Sequence, residues 1–225
     1  MADPVTIVVP SHKRAGDVTT FPAALDPDMG YVCVPASQEA EYREKQPELQ
    51  LLVHPDSVVG LSAKRQWIYE TVGSVFMLDD DVIRVQHFEH RERMCKMPPE
   101  VGYDVIQRLA GDARQLGIYA FAFSPYSDIR TFNPLRPFKL TGLAIGGSFG
   151  LLEGSGLSWN ANIVGCDDYW ISAMNAHVHR MCLIDLRYDF ATAPTFGSAG
   201  GQGSRRTMET EARDNELLRR AFGSK

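Results

Sequence analysis

The sequence predicts an α/β protein: a single Rossmann-like domain whose central sheet is mainly parallel and flanked by helices. Short β-rich runs alternate with amphipathic segments from the N-terminus onward, which is typical of strands joined by crossover helices. The chain has 225 residues, of which 44% are hydrophobic, and this length and composition suit one core. We therefore expect ligands to bind beyond the carboxyl ends of the parallel strands.

The elements follow one another in a regular order. Four strands are predicted over residues 5–9, 31–34, 51–54 and 74–78. A short helix is predicted over 37–45 with Ser37 as its N-cap, and further helices over 62–72 and 103–116, each ended by a glycine. The Gly-rich and charged segment 197–225 predicts a mobile loop followed by a terminal helix.

The most informative motif is a carboxylate triplet at the end of the fourth predicted strand. Asp79, Asp80 and Asp81 follow a run of apolar residues directly. In an extended chain Asp79 and Asp81 point the same way, so they present two oxygen ligands on one face. Such ligands suit Mg²⁺ or Mn²⁺, and three adjacent like charges favour a compensating cation. The alternative is an acidic loop that is simply solvated.

Two basic segments lie where an α/β sheet would bind an anion. The sequence PSHKR, residues 10–14, follows the first strand, and GLSAKR, residues 60–65, begins a helix whose N–H groups face outward. Taken alone, each is equally well explained as a solvated turn or as an ordinary helix start. Their shared position at the sheet edge with the acidic triplet favours a ligand.

A second acidic motif, GCDDYW at residues 165–170, begins an apolar helix. Asp167 and Asp168 are explained either as helix N-cap residues or as a pair that takes a proton from an attacking hydroxyl. His177 and His179 end the same helix, where a structural role is favoured over metal ligation.

In this order, PSHKR, LSAKR, the strand ending in DDD, and GCDDYW resemble the inverting GT-A-fold glycosyltransferases that use nucleotide sugars. The resemblance spans roughly residues 5 to 180. It implies that Asp79 and Asp81 carry the metal, that Asp168 is the base, and that Asp167 orients the acceptor. The donor-binding residues implied are Pro10, Ser11, His12, Lys13, Arg14, Lys64, Arg65, Asp79, Asp80 and, from the tail, Arg205 and Arg206.

The chain departs from the GT-A pattern in its third metal ligand, because no histidine follows His179. Either His177 or His179 serves, or Asp189 does, or the ion relies on two aspartates, the diphosphate and water.

The compact size, the PSHKR start and the Gly-rich segment 195–206 further resemble the phage TET-associated glycosyltransferases, which are thought to glycosylate 5-hydroxymethylpyrimidines in DNA. This implies a UDP-sugar such as UDP-glucose as donor, manganese or magnesium as cofactor, and DNA containing 5-hydroxymethylcytosine as acceptor. Residues 1–196 would be a GT-A-like catalytic domain, with a nucleotide-sugar half up to about 82 and an acceptor half over 83–196, followed by the tail 197–225.

Charge and composition bear on partners. The formal net charge of −5 argues against a strongly basic nucleic-acid binder. Basic residues nevertheless cluster around residues 84–96, 130–139 and 205–220, which is compatible with a local DNA-binding surface. Aromatic residues that could stack on a base accompany the middle cluster: Tyr126, Phe132 and Phe138. Glutamates interrupt the first and third clusters. No membrane-spanning run, signal peptide or CxxC pair is present, so we expect reduced cysteines and a cytoplasmic location, the host cytoplasm if the chain is phage-encoded.

Other functional classes remain open to different degrees. A P-loop NTPase is strongly disfavoured because no G-x-x-x-x-G-K-[ST] motif occurs. The remaining alternatives are a glycosyltransferase with a small-molecule, protein or glycan acceptor, and a non-catalytic module that binds nucleotide sugars. The oligomeric state is not indicated.

Overall fold

The computed structural model describes residues 3–90, 93–144, 147–192 and 207–223. The strands are β1 (Thr6–Pro10), β2 (Tyr31–Pro35), β3 (Leu51–His54), β4 (Val75–Leu78), β5 (Val82–His90), β6 (Arg93–Met97), β7 (Ala120–Phe123), β8 (Phe138–Lys139), β9 (Ser148–Leu151), β10 (Leu183–Asp185) and β11 (Tyr188–Thr192). The helices are α1 (Thr20–Ala23), α2 (Glu39–Lys45), α3 (Leu61–Val72), α4 (Pro99–Gln115), α5 (Asp167–Val178) and α6 (Met208–Phe222).

An eight-stranded sheet forms the centre, in the order β3-β2-β1-β4-β9-β7-β10-β8. Strands β3, β2, β1 and β4 are mutually parallel, and so are β7 and β10. Strand β9 runs antiparallel to both of its neighbours, and the short β8 pairs antiparallel with β10 at the edge. The predicted α/β class with a mostly parallel sheet is confirmed, and strands from both predicted halves share this sheet.

The chain changes direction across the sheet at β1. From β1 it proceeds to β2 and β3 on one side and then returns to β4 on the other. The carboxyl ends of β1 and β4 are therefore adjacent, with Val8 paired to Met77. Such a switch point leaves a crevice beyond the strand ends, which is the usual ligand site of an open α/β sheet.

Apolar residues cover both faces of the sheet, because alternate residues of a buried strand point to opposite sides. Ile7 and Phe76 belong to one core cluster, together with residues of α4. Val8 and Met77 belong to the other cluster, which is closed by Ile68 of α3 and residues of α5. Helices α3 and α5 therefore lie on the same face, and their N-terminal ends meet above the switch point.

A second sheet was not predicted. It is antiparallel, in the order β11-β5-β6, and β5 begins at Val82, directly after Asp81. Aromatic rings join the two sheets: the Phe123 ring of β7 lies 5.6 Å from Phe76 and 5.1 Å from Phe190 of β11. The second sheet thus fixes the direction in which the chain leaves the acidic triplet.

Most predicted boundaries hold within one or two residues, with two corrections. The prediction that Ser37 caps a helix is wrong: a 3-10 turn over Ala36–Gln38 precedes α2, and both the N–H and the Oγ of Ser37 donate to Asp56 Oδ1, at 3.1 and 2.7 Å. Helix α4 begins at Pro99 rather than residue 103, because proline suits the first turn of a helix.

The terminal helix is confirmed as α6, whereas residues 197–206 lie outside the described residues. None of the described helices is both long and apolar enough to span a membrane.

Candidate active site

The middle carboxylate of the triplet ties the ends of β1 and β4 together. Asp80 is buried and accepts a hydrogen bond of 2.6 Å from Ser11 Oγ, and its other oxygen lies 3.1 Å from Arg14 Nη1. The Tyr42 hydroxyl lies 2.8 Å from the same Ser11 Oγ. Burial raises the pKa of Asp80, while Ser11 and Arg14 oppose that rise. Asp80 therefore acts as an anchor within the fold.

The flanking carboxylates of the triplet are more open. The side chains of Asp79 and Asp81 are 43% and 27% exposed. Desolvation raises the pKa of Asp79 to about 6, with further contributions from the Asp81, Asp80 and Asp167 charges against the opposing effect of Arg65. A carboxylate held in this way gains from a neighbouring cation.

Arg65 of α3 bridges the two acidic motifs. Its Nη1 lies 2.6 Å from Asp167 Oδ2 and its Nη2 3.4 Å from Asp79 Oδ1, and the guanidinium is buried. Burial alone would lower the pKa of Arg65, but Asp167, Asp79 and Asp168 together hold it above its usual value. The strand-end triplet and the helix-start pair consequently belong to one site.

Lys64, the residue before Arg65, is also buried. Its ammonium group donates to the backbone carbonyl of Ser11, just after β1, and to that of Cys33 in the middle of β2. Burial lowers the pKa of Lys64 to about 8. Lys64 thus joins α3 to the end of β1 and to β2.

The predicted donor-binding residues fall into two groups. The charged groups of Lys64 and Arg65 contact backbone carbonyls and aspartates of the protein, so both residues connect the elements that form the site. Their direct contact with a diphosphate stays a prediction. His12 and Lys13, after Pro10 at the end of β1, are exposed on the crevice side of the sheet edge. Lys13 has a φ of +56°, and its N–H donates to the Gln38 side chain at 2.8 Å. Arg205 and Arg206 lie outside the described residues.

The helix-start pair divides into a buried and an open member. Asp167 is 5% exposed and is held by Arg65, whereas Asp168 is half-buried and forms no ion pair within the described residues. Asp168 Oδ1 accepts the backbone N–H of Tyr169 at 2.8 Å. Desolvation and the Asp167 charge raise the pKa of Asp168, which makes it a better proton acceptor than an ordinary aspartate.

Comparison with known families identifies the class of enzyme but not its acceptor. Residues 5–201 match the family described as TET-Associated Glycosyltransferase. The chain belongs to this family. It is therefore a glycosyltransferase, as the sequence resemblance predicted, and the match includes the triplet, the basic segments and the helix-start pair. A comparison with curated proteins gave no match.

This glycosyltransferase is expected to use a divalent metal, and the open carboxylates fit one in their chemistry. Asp79 and Asp81 offer hard oxygen ligands. Asp79 Oδ2 lies over Gly147, where a Cβ would come within 2.6 Å of that oxygen, so the glycine leaves room beside it. Among the described residues no group of three His, Cys, Asp or Glu side chains converges on a metal position. A metal ion at this edge would therefore take at most two carboxylates from the described residues and would need further oxygens from the diphosphate and water.

The proposed third protein ligands lie elsewhere. His179 Nε2 lies 2.7 Å from the Ser155 carbonyl oxygen, and its ring packs 4.6 Å from Tyr119. His177 lies in the last turn of the 12-residue α5 and His179 is its C-cap, about 15 and 18 Å along the helix from Asp167. Asp189 is buried in the second sheet, where Gln86 Nε2 donates to it at 2.6 Å.

Three residues that support the candidate site were not predicted. They are Tyr42, which supports Ser11; Gly147, which makes room for Asp79; and Asp214 of α6, which contacts the loop before α5. Each acts through a contact between distant segments, and a single sequence carries no signal for such a contact.

Proposed function

We propose that this glycosyltransferase is an inverting, metal-dependent enzyme that moves a sugar from a nucleotide sugar to the hydroxyl of a 5-hydroxymethylpyrimidine in DNA. The observation that carries the proposal is the Arg65 bridge. The Arg65 guanidinium lies 3.4 Å from Asp79, at the strand-end crevice, and 2.6 Å from Asp167. Asp167 in turn directly precedes Asp168, the candidate base. A donor leaving group at the triplet and an acceptor hydroxyl at Asp168 would then be neighbours.

The donor diphosphate is expected at the switch point. Backbone beyond β1 and the exposed His12 and Lys13 supply donors and positive charge there. Asp79 and Asp81 would hold Mg²⁺ or Mn²⁺, which when bound neutralises charge that develops on the leaving diphosphate. The fixed Asp80 keeps both neighbours in place, because Ser11 and Arg14 restrict its movement.

Asp168 is the proposed base. It accepts the proton of the acceptor hydroxyl while that oxygen bonds to the anomeric carbon, and the bond from this carbon to the diphosphate oxygen breaks on the opposite face. A single displacement of this kind inverts the anomeric centre. The ion pair between Asp167 and Arg65 fixes the first turn of α5, and with it the backbone that carries Asp168.

A DNA acceptor is supported by the surface that follows β7. Tyr126 and Phe138 are exposed, and the basic residues Arg136 and Lys139 lie in the same segment. Exposed aromatic rings stack on bases, and basic side chains contact phosphates. Phe132, the third aromatic residue of this segment, packs against Phe88 with ring centres 5.8 Å apart and belongs to the core instead.

A donor and acceptor screen tests the proposal. The enzyme is incubated with Mn²⁺ or Mg²⁺, a panel of nucleotide sugars, and DNA containing 5-hydroxymethylcytosine, 5-hydroxymethyluracil or unmodified bases. Nucleoside mass spectrometry reads the product, and Asp168→Asn serves as the matched control. We expect a sugar on the hydroxymethylated base only, from the wild type only.

The same screen addresses the alternatives. Sugar release to water without transfer to DNA would indicate a different acceptor, such as a small molecule, a protein or a glycan. Binding of the nucleotide sugar without either transfer or hydrolysis would indicate a non-catalytic module and contradict the proposal.

A further inference from the structure

The C-terminal helix α6 buries a charged residue rather than an apolar one. Thr207 is the N-cap of α6, and its Oγ1 accepts the Thr210 N–H at 3.1 Å. Most side chains of the helix are exposed or half-buried. Its one fully buried residue among those described is Asp214, which has no exposed surface. Burying a carboxylate is costly unless donors surround it, so its position calls for a specific partner.

That partner is the backbone just before the helix-start pair. The Asp214 carboxylate accepts the N–H of Gly165 at 2.7 Å, of Val164 at 3.0 Å and of Cys166 at 3.2 Å. These three N–H groups directly precede Asp167. Cys166 is the N-cap of α5 but makes no side-chain capping bond, so Asp214 supplies both acceptors and negative charge at this helix N-terminus.

The helix-start pair is thus held from two sides. Arg65 of α3 fixes the side chain of Asp167, and Asp214 of α6 fixes the backbone that leads into it. A second contact docks α6 on α5: the rings of Phe222 and Trp170 lie 5.2 Å apart. Asp168 forms no ion pair within the described residues, so the placement of its carboxylate depends on the backbone at the start of α5.

We propose that Asp214 is a positioning residue for the transfer reaction: the C-terminal helix sets the Asp167–Asp168 backbone from outside the crevice and touches neither donor nor acceptor. This rests on the proposed role of Asp168 as base. An error of about 1 Å in the placement of a base is costly in rate but leaves donor binding at the β1 and β4 ends unaffected. A positioning role therefore lowers kcat and spares the donor Kd.

The test compares Asp214→Asn with two variants of the same helix. Asp214→Asn keeps the volume but removes one acceptor and the charge. Glu216→Gln removes an exposed charge paired with Arg220, and Phe222→Leu weakens the docking of α6 away from the loop. Transfer kcat is measured well below each Tm, nucleotide-sugar Kd by calorimetry, and amide hydrogen exchange across residues 160–168 by mass spectrometry.

For Asp214→Asn we expect kcat to fall at least tenfold, the donor Kd to stay within twofold, and the amides of residues 164–166 to exchange faster. Glu216→Gln should match the wild type, and Phe222→Leu should lower Tm with a smaller loss of kcat. Should Asp214→Asn not fold, Asp214→Ser, which lets water reach the amides, takes its place with the same expectations.

An Asp214 variant with wild-type kcat would overturn the positioning role. The role would also be overturned if Asp214→Asn and Phe222→Leu lowered Tm equally and Asp214→Asn lost no more kcat than Phe222→Leu did. In both cases the wild type transfers sugar and the proposed function stands. A wild-type enzyme that transfers sugar to no acceptor would instead overturn the proposed function, and the positioning role with it.

Discussion

The strand-end triplet and the helix-start pair each contain one buried carboxylate, but they differ in what holds it and in how many neighbours remain open. Asp80 is held by Ser11 and Arg14 from the adjoining strand end, and two open carboxylates flank it. Asp167 is held by Arg65 from another helix, and only Asp168 remains open beside it. The buried member of each motif contacts only protein groups, so the open members, Asp79 and Asp81 at one motif and Asp168 at the other, are the ones proposed to hold a metal and to act as base.

The largest expected effect separates Asp168 from Asp167. Asp168→Asn removes the proton acceptor but no ion pair of the described residues, so kcat should fall by about 10³-fold while Tm stays within a few degrees. Asp167→Asn should lower both kcat and Tm, because the buried Arg65 loses its closest partner. Steady-state kinetics and thermal melts check this. An Asp168→Asn enzyme with more than a tenth of wild-type kcat would mean that another group is the base.

A second effect separates the anchor of the triplet from its open neighbour. Asp80→Ala should cost about 3 kcal/mol of unfolding free energy, because the buried Ser11 hydroxyl loses its carboxylate acceptor and Arg14 loses the closer of its two aspartate partners. Asp81→Asn should cost less than about 1 kcal/mol, because its contact with Arg14 is longer, at 3.5 Å, and more exposed. Urea unfolding measures both. Equal losses for the two variants would contradict the division into buried and open members.

A third effect sharpens the comparison through pH. The folded-state pKa of Lys64, about 8, lies below the ordinary value of 10.5, so the charged lysine destabilises the fold below pH 8. This cost disappears as pH rises from about 8 to 10.5. Relative to Lys64→Met, the wild type should therefore gain up to about 3 kcal/mol across that window. Urea unfolding at several pH values measures the difference, and a difference that stays constant with pH would show that Lys64 keeps an ordinary pKa.

The smallest expected effect concerns room beside Asp79. A Cβ at Gly147 would lie 2.6 Å from Asp79 Oδ2, so Gly147→Ala should displace that oxygen and weaken metal-dependent donor binding about tenfold. Gly111→Ala on α4 is the control, because nothing lies within 4 Å of its added Cβ and alanine favours a helix. Unchanged donor binding by Gly147→Ala would argue against Asp79 as a metal ligand.

The sequence was sufficient for the elements that depend on local pattern. Strands β1 to β4 and helix α3 follow from apolar runs with proline and glycine at their ends, and the family resemblance was confirmed. Ser37 failed as a cap because a distant acceptor, Asp56, captured its hydroxyl. The second sheet and the Asp214 contact join segments far apart in the chain, and such pairings depend on tertiary packing rather than on periodicity.

The sequence indicated which residue types lie at the candidate site, but not which of them are buried and which are open. Sequence spacing placed Asp79 and Asp81 on one face and identified the pair Asp167–Asp168. It did not indicate that Arg65 would bridge them or that Lys64 would be buried, because both side chains are basic residues at a helix start, where solvent or phosphate contact is the ordinary expectation.

The central claim is that the open carboxylates of the triplet bind the metal and the donor, whereas Asp168 takes the proton of the acceptor. One calorimetric experiment tests this claim most directly. A nucleotide sugar with Mn²⁺ is titrated into the wild type, Asp81→Asn and Asp168→Asn, and transfer is assayed on the same samples. We predict that Asp81→Asn loses donor affinity together with transfer, and that Asp168→Asn binds the donor like the wild type but transfers no sugar. Equal loss of donor affinity in both variants would contradict the account.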